Sequence, residues 1–247
     1  MNRRLAVWAT GGLFALGLGL LAWGYWAARR VPPFYAAAVS VPLQVHREAS
    51  DHLLESAAAL ASNVQKEGQW QAIFTSEQIN GWLATGLNET FPGLLPDYVV
   101  DPRVTVGADG VLFGCRYLKG NVETVVSLKA ELFVSESNVL KVRLRHARAG
   151  AFPLPLGNVL EGVTRVATDL SMQLSWLQAD GDPVAVIRLH PADDRAFYHL
   201  EKLRLGDNEV FVAGYTVPRE SDGSPAAESH DKPLAAVPSG TKENRQR

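Results

Sequence analysis

Six histidines, one cysteine and an adjacent pair of aspartates are the first residues of this 247-residue chain to weigh for chemistry. His46, His52, His146, His190, His199 and His230 are scattered, and none forms the i, i+4 pair that would turn two imidazoles toward one metal. Asp193-Asp194 follow Pro191 in a stretch that reads as a turn rather than an acid/base pair. Cys115 falls in an alternating strand pattern and reads as a small buried hydrophobe. A lone cysteine also rules out a disulfide framework within the chain and any multi-cysteine zinc site. The chain has no G-x-S-x-G elbow, Walker loop, H-E-x-x-H or dinucleotide fingerprint. Asn88-Glu89-Thr90 matches a glycosylation sequon at an expected helix end, and matters only in a host that glycosylates. The expectation is a non-enzymatic protein with no cofactor and no metal. A hydrolase whose site assembles only in space is the third-ranked alternative.

Two patterns point to binding. Lys141, Arg143 and Arg145 alternate with Leu140, Val142 and Leu144, so three cations share one strand face, with Arg148 close behind. Like charges at period 2 sum on one surface and suit acidic headgroups or an acidic partner; the competing reading is a solvated outer face. The second pattern is apolar. Val126, Leu128, Val142 and Leu144 on strands, set against Leu156, Val159, Leu160 and Val163 on a helix, are the expected lining of a pocket for a lipid chain. An ordinary filled core is the alternative.

The elements that must hold these residues are legible from periodicity. Leu43–Lys66 is helical, with Leu53, Leu54, Ala57, Ala58, Leu60, Ala61 and Val64 forming a stripe and Gly68 a C-terminal cap. Thr75 and Gln78 have the spacing of a capping box, and Phe74 and Ile79 that of a hydrophobic staple. Ile79, Trp82, Leu83 and Leu87 supply that helix's buried face, with Trp82 read as core, Asn80 as locally bonded and Pro92 as the stop. After Pro96 the period falls to 2. Arg103–Ala108 and Val111–Leu118 flank Asp109-Gly110 as a hairpin, and 122–134 and 140–144 alternate as further strands. Leu156–Leu170 returns to helical spacing behind Pro155. Strands follow at Met172–Trp176 and Val184–Leu189, and a last hairpin pairs Leu200–Leu205 with Val210–Tyr215, the first arm suiting a helical turn almost as well.

The stretch Leu5–Ala28 is uncharged and lies between Arg3-Arg4 and Arg29-Arg30. Its length of about 36 Å as a helix suits a membrane span, with Trp8 near one end and Trp23, Tyr25 and Trp26 near the other. A cleaved signal peptide fits less well, because the apolar run is long and Trp26 occupies a position that cleavage reserves for a small residue. The short charged N-terminus favours placing the bulk of the chain outside the cytoplasm, anchored in the cytoplasmic membrane. The chain then divides into a transmembrane anchor (1–30), a proline-containing linker (31–42) with Phe34 and Tyr35 near the headgroups, an α+β domain (43–216), and a disordered tail (217–247) without Phe, Trp or Tyr. A net charge of −2 without a basic tract excludes nucleic acid as an expected partner.

FTSEQINGWL, DPRV leading into paired strands, VSLKAELFV and HARAGAFPLPLGNVLEGV together resemble a group of bacterial single-pass envelope proteins whose domain is similar to the tubular lipid-binding (TULIP-like) superfamily. The likeness covers roughly residues 72–190 and implies lipid handling without supplying any ligand-contacting residue. The combined expectation is an α+β protein: an N-terminal transmembrane helix, then a curved antiparallel sheet packed on two or three amphipathic helices. Its expected partners are its own membrane and a lipid or other apolar envelope molecule. The alternative is a structural or protein-interaction module of the cell envelope with a filled core.

Overall fold

The computed structural model describes residues 16–20, 22–189 and 196–218. The fold is α+β and built on two antiparallel sheets. Its strands are β1 (Gly68–Thr75), β2 (Val99–Gly107), β3 (Gly110–Lys119), β4 (Val122–Glu136), β5 (Val139–Ala149), β6 (Phe152–Pro153), β7 (Gln173–Ala179), β8 (Asp182–Arg188), β9 (Ala196–Leu205) and β10 (Glu209–Pro218). Its helices are α1 (Pro33–Val39), α2 (Leu43–Val64), α3 (Ser76–Thr85), α4 (Leu87–Thr90) and α5 (Leu156–Asp169). The larger sheet runs β2-β3-β4-β5-β8-β7 with β6 beside β5, and the smaller runs β1-β10-β9.

Register explains the larger sheet's two-sided character. Val111, Ala130 and Leu144 form one apolar row across β3, β4 and β5; Phe113, Leu128 and Ala147 form the next, and Cys115, Val126 and Ala149 the third. Helix α5 lies beside β7 and β5, and the Trp176 indole donates to Thr164 Oγ1 at 2.9 Å. In β8 three consecutive residues, Val184, Ala185 and Val186, are buried, so this strand is covered on both faces. Between Lys129 and Ala130 the β4–β5 ladder slips, Lys129 facing His146 while Ala130 faces Leu144, which leaves Arg145 as the extra residue of a bulge. The bulge reverses the alternation of β5: His146 and Arg148 join the polar face and Ala147 and Ala149 the apolar one.

The two sheets are joined by side chains that complete strand edges. Asn80, buried on α3, donates from Nδ2 to Val104 O at 2.8 Å and accepts from Val104 N at 2.7 Å. Ser76 Oγ accepts from Val106 N at 2.9 Å. Edge strand β2 is therefore capped by a helix, not left bare. At the β4–β5 turn Asn138 repeats the device, donating to Tyr198 O at 2.6 Å and accepting from Leu200 N at 2.7 Å.

Several elements depart from the sequence reading. Residues 68–75, expected only to hold the Gly68 cap and the capping residues Phe74 and Thr75, form β1, in which Trp70, Ala72 and Phe74 point inward and the Trp70 indole donates to buried Thr216. Leu200–Leu205, by contrast, is the strand arm expected and not a helical turn. The first hairpin turns through Ala108-Asp109, with Gly107 facing Gly110, one residue earlier than the Asp109-Gly110 turn expected. The proline segment contains α1, and Tyr35 is 2% exposed, its hydroxyl donating to Asp101 O at 2.9 Å; burial, then the nearby Asp101, pushes that phenol up to about 12. A ring buried under β2 does not touch headgroups. Helix α3 has the full capping box but ends at Thr85, and Trp82 is half-buried with its ring edge-on to Phe91. Asn80 is not locally bonded: its partner lies 24 residues on.

Of the expected anchor, residues 1–15 and 21 lie outside the described residues, while 16–20 and 22–28 are helical. Among the described residues no helix is long and apolar enough to cross a membrane. Of the tail expected from 217, Val217 and Pro218 are the last residues of β10, paired with Phe197 and Ala196; the rest of it lies outside the described residues.

Candidate functional site

The N-terminal helix does not end in a loose tether. Ala27 is buried and its carbonyl accepts from Ala151 N at 2.9 Å, while Ala28 O accepts from Thr124 Oγ1 at 2.6 Å. These are final carbonyls of the helix, which lack partners within it, and the sheet supplies them. Gly150, at φ +57°, passes so close that a Cβ there would lie 2.2 Å from Ala28 O. Trp23 meets Phe152 edge-on at 6.4 Å between centroids.

Just beyond this clamp the chain turns over the polar face of the larger sheet and encloses a groove of about 670 Å³. Val31, Pro32 and Phe34 form one wall; Leu112 and Ala151 contribute apolar surface on the other. The floor follows from register: Leu112, Lys129 and His146 make one cross-strand row, and Gly114, Ser127 and Arg148 the next. Phe34 and Tyr35 lie against Gly114 and close that end of the row, while the small Ser127 side chain lines the groove. Arg30, Lys129, His146 and Arg148 all line the groove, and among the described residues no carboxylate does. Lys129 also reaches Asp109 on the exposed hairpin tip, and that contact holds the Asp109 carboxyl below its usual range. No ion pair joins Arg30, His146 or Arg148 to a carboxylate among the described residues.

The expected charged stripe behaves differently. Arg145 contacts both oxygens of Glu131, at 2.7 and 3.0 Å, and Asp182 at 2.7 Å; Arg143 reaches Asp180 at 3.3 Å. The hydrogen bond from Arg145 lowers the Glu131 pKa. The stripe Lys141, Arg143, Arg145 is thus largely neutralised by carboxylates on neighbouring strands and turns, and does not present three free cations. The expected pocket residues are brought together only in part. Leu144 is buried, Val126, Leu128 and Val142 are half-buried on the apolar face, and Leu156, Val159, Leu160 and Val163 are half-buried on α5. Leu128 alone among these eight lines the groove at the helix foot.

A second cleft of about 300 Å³ lies between α1, α2 and α3. Its polar groups are engaged internally, Asn80 and Ser76 with β2 and Glu77 with Asn208. His46 on α2 is buried there, its Nε2 has no hydrogen-bond partner, and burial followed by the neighbouring Arg103 lowers its pKa. Cys115 is buried on the apolar face and its thiol is pushed up to about 11 by burial alone. Among the described residues no group of three His, Cys, Asp or Glu side chains is placed to hold a metal. His190, Asp193, Asp194 and His230 lie outside them. Compared with known proteins, the chain matches no family model and no curated relative.

Proposed function

We propose that the protein is a membrane-tethered, non-enzymatic envelope module that holds an amphiphilic molecule at the foot of its N-terminal helix, with its main domain on the extracytoplasmic side. The groove between residues 30–34 and the sheet carries this reading: it is large, apolar on both walls and cationic on its floor. Its surroundings suit a membrane surface. Trp23, Tyr25, Trp26, Val122 and Phe152 are all large and exposed, and they cluster around the clamp formed by Ala27, Ala28, Thr124 and Ala151. Exposed aromatic and apolar side chains beside arginines are the composition of a membrane–water interface. The resemblance to tubular lipid-binding domains adds to the reading, as do the bulges that bend the larger sheet.

The test is lipid retention by the full chain after extraction in mild detergent, read by native mass spectrometry against a single-pass control. The parent protein should retain lipid. Ser127→Phe, which fills the floor of the groove, should retain much less while keeping its melting midpoint. No lipid above the control would sink the reading.

One observation favours a second reading, a protein-interaction module. Strand β7 has no strand on its outer side among the described residues, and Met172 and Leu177 are exposed beside that edge. An uncovered edge is a template for strand addition by a partner. Cross-linking from Leu177→Cys in whole cells would reveal such a partner.

A further inference from the structure

We infer that the groove selects an anionic phospholipid, its phosphate held by Arg30 and Arg148 with Lys129 and His146 alongside. This rests on the amphiphile reading and adds the class of headgroup. Three facts carry it. The first is the contrast in pairing on one sheet: Arg116 is matched by Asp101, Arg143 by Asp180 and Arg145 by Glu131 and Asp182, whereas Arg30 and Arg148 face the groove without a carboxylate among the described residues. Positive charge left uncompensated beside apolar walls fits an anion that carries its own apolar tail. The second is the row geometry: Lys129 and His146 are direct cross-strand neighbours, and Arg148 lies one row on beside Ser127, so their side chains rise from adjoining points of one floor. The third is position. Arg30 is only two residues past the clamped Ala28, which sets the cations immediately beyond the helix end, where a lipid phosphate would meet the chain of a spanning helix. Guanidinium groups take phosphate oxygens in bidentate fashion, so the two arginines dominate.

The experiment offers the full chain in detergent equal amounts of phosphatidylglycerol and phosphatidylcholine with identical acyl chains and counts retained lipids by native mass spectrometry. The parent protein should prefer phosphatidylglycerol by about tenfold: both lipids offer a phosphate, but phosphatidylcholine also brings a quaternary ammonium that the arginines repel. The double variant Arg30→Gln, Arg148→Gln should bring the ratio close to one by losing phosphatidylglycerol, with phosphatidylcholine falling less. Glycerol phosphate in excess should not displace the lipid, because it has no tail to bury. A parent ratio of one, with both lipids lost in Ser127→Phe, overturns the headgroup inference and leaves the groove reading intact. Unchanged retention of both lipids in Ser127→Phe overturns the two together. Displacement by glycerol phosphate alone would show a free-phosphate site and overturn the assignment to a lipid.

Discussion

Asn80 and Val104 are 24 residues apart and bonded to each other twice, amide to carbonyl at 2.8 Å and backbone N–H to amide oxygen at 2.7 Å. One side chain therefore completes one backbone unit of an edge strand from a helix. Asn80→Ala removes both bonds and leaves two Val104 groups without partners. The expected cost is about 1–3 kcal/mol, and Asn80→Asp should also be costly because a carboxylate offers no donor to Val104 O. Urea unfolding checks this; a loss of only a few tenths of a kcal/mol would mean that water replaces the asparagine freely.

Helix α3 approaches α2 closely at Gly81, where a Cβ would lie 2.5 Å from His46 O and 2.6 Å from Ser50 N. Gly81→Ala should destabilise by about 1–3 kcal/mol despite alanine's better helix propensity. Thr75→Ala, which removes the cap of the same helix, should cost about 1 kcal/mol. Thermal melts of the two variants will rank them.

His46 supplies a pH dependence. Its folded pKa is lowered, chiefly by burial and then by Arg103, so the unfolded chain binds a proton that the folded chain refuses. Stability is then full above about pH 6.5, the unfolded value, and falls as pH drops through that value toward the lower folded pKa. His46→Phe should flatten this part of the curve. Denaturant midpoints measured from pH 8 down to pH 5 give the comparison, and an unchanged slope in the variant would assign the dependence elsewhere.

Cys115 should be nearly inert while the domain is folded. Its thiol is buried and pushed up to about 11, which leaves little thiolate at neutral pH. Iodoacetamide followed by mass spectrometry should show slow labelling at pH 8 and rapid labelling in denaturant. Rapid labelling of the native protein would mean that the sheet opens around β3.

Much of the fold was legible because single periods run uninterrupted. Thr75 and Gln78 announced α3 correctly, and the alternation from Val122 to Val134 announced β4. Strand β1 was hidden because Ile73 is apolar but exposed, which blurs the alternation of Trp70, Ala72 and Phe74. Helix α1 was hidden because the two prolines suggested an extended linker, although a proline at the first turn is equally a helix start. The groove was illegible for a more specific reason. Strict alternation from Leu140 places His146 and Arg148 on the apolar face, and only the bulge at Arg145 carries them to the other side. Nothing in a period of 2 signals a residue that is counted twice. The carboxylates that neutralise Arg143 and Arg145 come from residues 131, 180 and 182, and such long-range pairs leave no mark on local spacing.

Gly150→Ala should loosen the clamp at Ala27 and Ala28, since the new Cβ meets two carbonyls and a φ of +57° disfavours it. Faster hydrogen exchange at the Ala151 amide, with the sheet amides unchanged, is the expected result. Unchanged protection at Ala151 would show that the contact bends without breaking.

The carbonyls of Ala27 and Ala28 make the N-terminal helix and the larger sheet one mechanical piece at their junction. A junction of this kind resists swivelling: turning the helix about its own axis would turn the domain with it. The domain would then keep a fixed heading relative to whatever the helix is packed against, and a neighbour that gripped and rotated the helix would steer the groove and the β7 edge together.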